Sequence, residues 1–190
     1  MRNNFQEEQK FLGIDFSNRK ISDTEYDNCF FQNCDFSNSD FSDNDFVDCR
    51  FENCNFALTK LAGSGLKNVH FADCKLVGIN FDVCSDFLFA VGFKTCALDY
   101  SSFYSKKMKK TRFVNCSLRE VDFTSADLSE AVFDRCDLAM AVFSQTNLEK
   151  ADFTTAIDYQ IDLEQNRIKK ARFSQGGLTG LLVKYNIVIE

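Results

Sequence analysis

Four sets of side chains in this 190-residue sequence could carry chemistry: nine cysteines, a single histidine, a run of lysines and a crowd of carboxylates. The cysteine count is odd, and the spacings fit neither a CxxC redox pair nor a zinc-ligand pattern. His70 stands alone, so no Ser/His/Asp or Cys/His set can be assembled for nucleophilic catalysis. Neither a glycine-rich phosphate loop nor HExxH occurs. Lys106, Lys107, Lys109, Lys110 and Arg112 make a basic corner suited to a solvated surface or to an acidic contact. Asp35, Asp40, Asp43, Asp45, Asp48 and Glu52 crowd together earlier, interrupted only by Arg50. Residues 1–90 carry a net −7 and residues 91–190 a net +1, for −6 overall, which argues against a general nucleic-acid binder. No enzyme is expected here, and no cofactor or metal.

The elements that position these groups follow from one periodicity. Every fifth residue from Phe11 to Phe81 is apolar, and a second run from Phe93 to Phe153 is apolar at every step. With 45% of the chain hydrophobic, 28 consecutive matches have a chance probability on the order of 10⁻¹⁰. A period of five is neither helical nor that of an ordinary strand. It fits a chain that turns a corner after each short extended piece and sends one large side chain inward per side. Cys34, Cys54 and Cys74 lie 20 apart, as do Cys96, Cys116 and Cys136, so four pentads make one coil.

Two residues before each centre stand small residues, among them Cys29, Cys34, Ser39, Cys49, Thr59, Ala126 and Ala131, which can share the interior with a ring. Cys84 joins them if the first register is extended by one pentad. The cysteines are therefore expected to be free thiols packed as small hydrophobes. Lys106 falls on the same inward position, where a charge is costly, so the corner is expected to distort and let it out.

The pentads CDFSN (34–38), SDFSD (39–43), ADLSE (126–130) and ADFTT (151–155) resemble the pentapeptide-repeat family. The resemblance implies an all-β fold, a right-handed quadrilateral parallel β-helix, over a single domain spanning 1–190. Its parts are an N-terminal cap (1–10), a first stack (11–81), a register break (82–92), a second stack (93–173) and a C-terminal cap (174–190). The break arises because Phe81 to Phe93 is two pentads plus two residues, which leaves Phe87 and Phe89 off register as a kink or an aromatic loop. Ser174 to Tyr185 reads as a short capping helix started by Ser174, with Leu178, Leu181, Leu182 and Tyr185 on one face, followed by a closing strand at Ile187, Val188 and Ile189.

Some members of that family present an acidic, DNA-sized rod to DNA gyrase or topoisomerase IV. The stretch Tyr159 to Ile168 and the Gly-Leu-Leu segment after it resemble members tied to microcin immunity and quinolone resistance. This likeness implies a protein partner of that kind, with no direct nucleic-acid contact. Candidate contacts are Asp35, Asp40, Asp43, Asp45, Asp48, Glu52, Asp86, Phe87 and Phe89. It also implies a tail-to-tail homodimer through Leu178, Leu181, Leu182, Tyr185, Ile187 and Ile189. The resistance members carry two sizeable loops, where this sequence has one two-residue slip and a lysine corner. A scaffold with an unrelated protein partner is the alternative. Met1 to Lys10 is polar and no apolar run is long enough to span a bilayer, so a cytoplasmic protein is expected, not a membrane one.

Overall fold

The computed structural model describes residues 4–188. Within them the chain winds into a solenoid of stacked parallel strands, a β-helix of about eight coils with four faces per coil. Face four carries a four-stranded sheet in the order β1 (Asn4–Glu7), β3 (Thr24–Asp27), β5 (Asp45–Val47) and β7 (Gly65–Lys67). Face one carries nine strands: β2 (Lys10–Leu12), β4 (Phe30–Gln32), β6 (Arg50–Glu52), β8 (Val69–Ala72), β9 (Val91–Lys94), β10 (Arg112–Val114), β11 (Val132–Asp134), β12 (Asp152–Phe153) and β13 (Arg172–Phe173). Faces two and three are held by single-residue bridges, such as Asp15↔Asp35↔Asn55↔Lys75 and Ser102↔Asp122↔Val142. The ladder begins before Phe11, because Asn4 to Glu7 already pairs in register with Thr24 to Asp27.

Pairing partners are 20 residues apart, as the cysteine spacing predicts, except at one level. There Val69 pairs with Val91 and Phe71 with Phe93, a step of 22 that inserts two residues into the fifth coil. Like side chains therefore stack on like. On face one the column Phe11, Phe31, Phe51, Phe71, Phe93, Phe113, Phe133, Phe153, Phe173 runs the length of the solenoid, with ring centroids 4.5–5.4 Å apart and planes within 15°. Rings from opposite faces meet edge-on, as Phe113 and Phe123 do at 6.0 Å. Each buried ring is worth about 1.5–3 kcal/mol, and only stacking removes its faces from water.

Corners use a repeated backbone device. The residue two after most centres sits at positive φ, and from Asn18 to Asn53 all are Asn or Asp: Asn18, Asp23, Asn28, Asn33, Asn38, Asp43, Asp48 and Asn53, while Gly13, Leu58, Gly63 and Gly78 take the same position elsewhere in the first stack. Asn and Asp tolerate the left-handed region best after glycine. The aspartate before a centre has a local duty too. Asp35, Asp122 and Asp137 accept the backbone N–H two residues on, at 2.8–2.9 Å, and Asn55 does the same at 3.1 Å.

All nine cysteines are free and buried. Seven of the thiols donate back to a carbonyl of the coil before, as Cys34 does to Phe11 and Cys84 to Leu61, while Cys116 and Cys136 donate to the carbonyls of Val114 and Asp134. Cys84 thus holds the ladder position at the edge of the break. Burial pushes the Cys49 and Cys84 thiols up to about 12, far from thiolate at neutral pH. Asn44 takes an inward position and is satisfied, accepting from Thr24 N–H and donating to the Ile21 and Phe41 carbonyls. Titration of denatured protein under non-reducing conditions should count nine thiols, and reductant should leave the melting temperature unchanged. Cys54→Ala should cost about 1 kcal/mol through a small cavity; a marked thiol shortfall would contradict the ladder.

Candidate functional site

Among the described residues the 20-residue step changes once, at the fifth coil, and the two extra residues emerge at the corner between faces four and one. The face-four sheet stops at β7, and beyond the break this face continues only as bridges Lys107↔Asp127↔Asn147↔Arg167. Phe87 (68% exposed) and Leu88 (65%) form a protruding apolar tip, with Leu88 at φ 57°. Phe89 departs from the expectation of an exposed aromatic: it folds back and packs against the core.

Lys106 also differs from the sequence reading. The corner does not let it out; the side chain is 2% exposed. Its ammonium donates to the Cys84 carbonyl at 2.6 Å and to Asp86 Oδ1 at 2.7 Å, and lies 5.0 Å from the centre of the Phe89 ring. The loop supplies the counter-charge, so the cost of burial is met by pairing rather than by extrusion. Asp86 is therefore a clasp, its other flank open to solvent, while Lys67 sits 5.6 Å over Phe87.

The candidate acids do not share one face. Asp35 lies on face two, Asp40 on face three, Asp45 on face four and Glu52 on face one, while Asp43 and Asp48 occupy corners. Asp45 lies 3.3 Å from Lys67 and rests over Gly65, where a Cβ would collide with it; Asp43 covers Gly63 in the same way. Together these acids make a belt around the rod. What sequence order conceals is a different arrangement, in columns. Faces two and three adjoin, and between them carry Asp15, Asp23, Asp35, Asp40, Asp43, Asp82, Asp99, Glu120, Asp122, Asp137, Asp158, Asp162 and Glu164, against Arg19, Lys20, Lys60, Lys75, Arg119 and the cap residue Lys184. This side of the rod is thus acidic toward its two ends, while in the middle coils, between Asp43 and Asp99, it carries Lys60, Lys75 and Asp82. The opposite edge, where faces four and one meet, mixes signs and holds Lys107, Lys109, Lys110 and Arg112 beside the tip. Hydrogen bonds from Ser42 hold the Asp40 carboxyl below the usual carboxylate range, so it is charged at neutral pH.

At the C-terminus the expected α-helix is two short 3₁₀ turns, Gly176–Leu181 and Val183–Tyr185. The glycines explain the difference, because the segment is shaped by contact. A Cβ on Gly177 would strike the Tyr159 hydroxyl, and one on Gly180 the Tyr159 carbonyl. Tyr159 takes the inward place that Asp158 leaves. Ser174 accepts the Gly177 N–H. The four predicted residues do not share a face: Leu181 is buried and Leu182 half-buried, while Leu178 and Tyr185 are exposed. Lys184 clasps Asp162 at 2.7 Å and Glu164 at 2.8 Å. Ile187 and Val188 are exposed and form no strand, and Ile189 lies outside the described residues.

His70 is exposed and its ring bonds to the Asn68 side chain at 3.2 Å, and among the described residues no group of three or more His, Cys, Asp or Glu could hold a metal ion. Among the described residues no helix is long and apolar enough to cross a membrane.

Comparisons with known proteins agree with this architecture. The family described as "Pentapeptide repeat region" matches residues 24–103 and 87–173. A trypsin-treated variant of QnrB1, described as a plasmid-mediated fluoroquinolone resistance protein, is similar with a TM-score of 0.55 and 19% identity over 98% of this chain and 97% of that one. HetL, a pentapeptide repeat protein involved in heterocyst differentiation regulation in the cyanobacterium Nostoc sp., is similar with a TM-score of 0.55 and 13% identity over 91% and 89%. No curated protein matches the sequence.

The clasp makes an asymmetric prediction. Asp86→Ala strands a buried ammonium and should cost about 1–3 kcal/mol. Lys106→Met removes the charge while keeping the volume and should leave the melting temperature unchanged or raised, with the loop freed. The reverse order in thermal melts would contradict the pairing.

Proposed function

Because the chain belongs to the pentapeptide-repeat family, we propose that it is a non-enzymatic binding protein whose acidic side occupies the DNA-binding surface of a type II topoisomerase, DNA gyrase or topoisomerase IV. The observation that carries this reading is the acidic side formed by faces two and three. About eight coils at ~4.8 Å each give a rod of roughly 40 Å, close to the scale of a duplex segment, with carboxylates in place of phosphates on one side toward each end. Such a surface would draw a basic groove by a field that salt screens within about 8–10 Å. The likeness to a fluoroquinolone resistance protein, at the level of the fold, fits this reading.

The aspartates before the centres allow a clean test. Asparagine keeps the oxygen that accepts the local N–H, as Asn55 does, and removes only the charge. The combined variant Asp35→Asn, Asp40→Asn, Asp122→Asn and Asp137→Asn should keep its cooperative melt and lose inhibition of gyrase supercoiling by about tenfold or more. Asp127→Asn with Asp152→Asn, away from the acidic side, should have little effect. A wild-type protein without effect on supercoiling at low salt would end this reading.

A homodimer through the C-terminal cap belongs to the same proposal. Its support is the apolar surface the cap leaves exposed at Leu178, Val183, Tyr185, Ile187 and Val188. An isologous contact there would double the acidic rod. Leu178→Glu with Val183→Glu should then yield a folded monomer in sedimentation velocity. Wild-type protein that sediments as a monomer at tens of micromolar would exclude the dimer.

A further inference from the structure

The edge opposite the acidic side carries a second surface, and two features of the fifth coil build it. The first is a hollow on face one. In the outward column Arg50↔His70↔Gly92, glycine leaves a gap; a Cβ there would stand 2.9 Å from His70 Nδ1. Arg50, His70, Lys94, Lys110 and Arg112 rim this hollow, and none of its lining side chains is acidic. Lys110 shares Glu130 with Lys109, and among the described residues no carboxylate lies within ion-pair distance of Arg50, Lys94 or Arg112. The second feature is the Phe87–Leu88 tip beside it. Leucine is unfavourable at positive φ, yet the tip is fixed from beneath by the Lys106–Asp86 clasp and by Phe89, with its own apolar area left in water.

We propose that this edge docks an acidic segment of a second partner protein, with carboxylates in the hollow over Gly92 and an apolar side chain on Phe87 and Leu88. Arginine forks suit carboxylates, and a preformed apolar tip within a charged rim has the make-up of an interface anchor. Arg50 and Arg112 are three coils apart, about 14 Å. An extended segment lying along the rod turns alternate side chains toward the face roughly 7 Å apart, so acids at two or three alternate positions fit that span. A duplex fits less well, because the column beyond Arg112 continues as Val132 and Asp152 and offers no basic track. A bilayer fits less well, because the hollow opens on the flat face while the tip leaves the corner, so the two do not share a plane. This surface is independent of the acidic side and of the topoisomerase reading.

The probes are two short fluorescein-labelled peptides with glutamate at alternate positions and a Phe-Leu pair at one end or the other. A lysine-for-glutamate analogue, phosphatidylglycerol vesicles and a short DNA duplex serve as comparisons. At low salt, anisotropy should report binding of at least one glutamate peptide, weakened about tenfold or more by Arg112→Glu and by Leu88→Asn. The latter keeps a residue that tolerates positive φ. Both side chains are exposed, and cooperative melts would verify the fold. The Asp→Asn variant of the acidic side should bind the peptide as wild type does. Absence of glutamate-peptide binding, binding indifferent to both substitutions, or binding of vesicles or duplex in its place would each overturn the proposal.

Discussion

Everything in this molecule depends on coil-to-coil register. A single pentad cannot bury its ring, and a single coil leaves every strand with unpaired N–H and C=O groups on both edges. Stacking resolves both at once: Phe31 covers Phe11, and the Phe30 strand hydrogen-bonds with the strands of Lys10 and Arg50. Stability is then a sum of neighbour terms along one axis, and any departure must be accommodated locally or the stack ends. The absence of proline is in keeping, since every coil needs its donors.

The fifth coil shows how such accommodation is achieved. Two inserted residues interrupt face four but leave the phenylalanine column of face one unbroken, from Phe71 to Phe93 at 5.4 Å. The vacancy in the face-four core is closed by Phe89 and the stem of Lys106. Insertion and buried lysine are thus one feature, because the loop that makes room for the amine also brings the carboxylate that pairs with it. The C-terminal end follows a similar logic. Tyr159 substitutes for a missing centre at Asp158, and glycines let the cap close on its ring and backbone. An open solenoid end would otherwise expose core and strand edges.

These local solutions give the rod two unlike sides. Backbone preference supplies much of the raw material: Asn and Asp favour the corners, and Asp before a centre accepts a local N–H. Acidity on a solenoid is therefore partly a by-product of folding, and its functional content lies in how the charges are distributed around the axis. Here the acids gather on two adjoining faces toward the ends of the rod, while cations and an apolar tip gather on the opposite edge. The fold is common to QnrB1 and HetL, whose described roles differ, so function rests on these surfaces rather than on the architecture.

Sequence alone determined the coil. The five-residue period named the inward centres, the 20-residue cysteine spacing named the stacking partners, and the slip between Phe81 and Phe93 located the break. These were legible because a solenoid repeats one local rule, and each inward side chain is specified by its own pentad. Tertiary structure decided the rest, where the outcome depends on contacts between residues from different coils. Lys106 stays inside because Asp86, one coil earlier, reaches it. Phe89 turns inward because that same gap needs filling. The capping segment becomes 3₁₀ turns because Tyr159 lies beneath its glycines. The acids from Asp35 to Glu52 scatter around the rod because neighbours in sequence point to different faces, whereas the acidic side is assembled from residues about 20 positions apart, a relation fixed by the winding of the chain and invisible along its length.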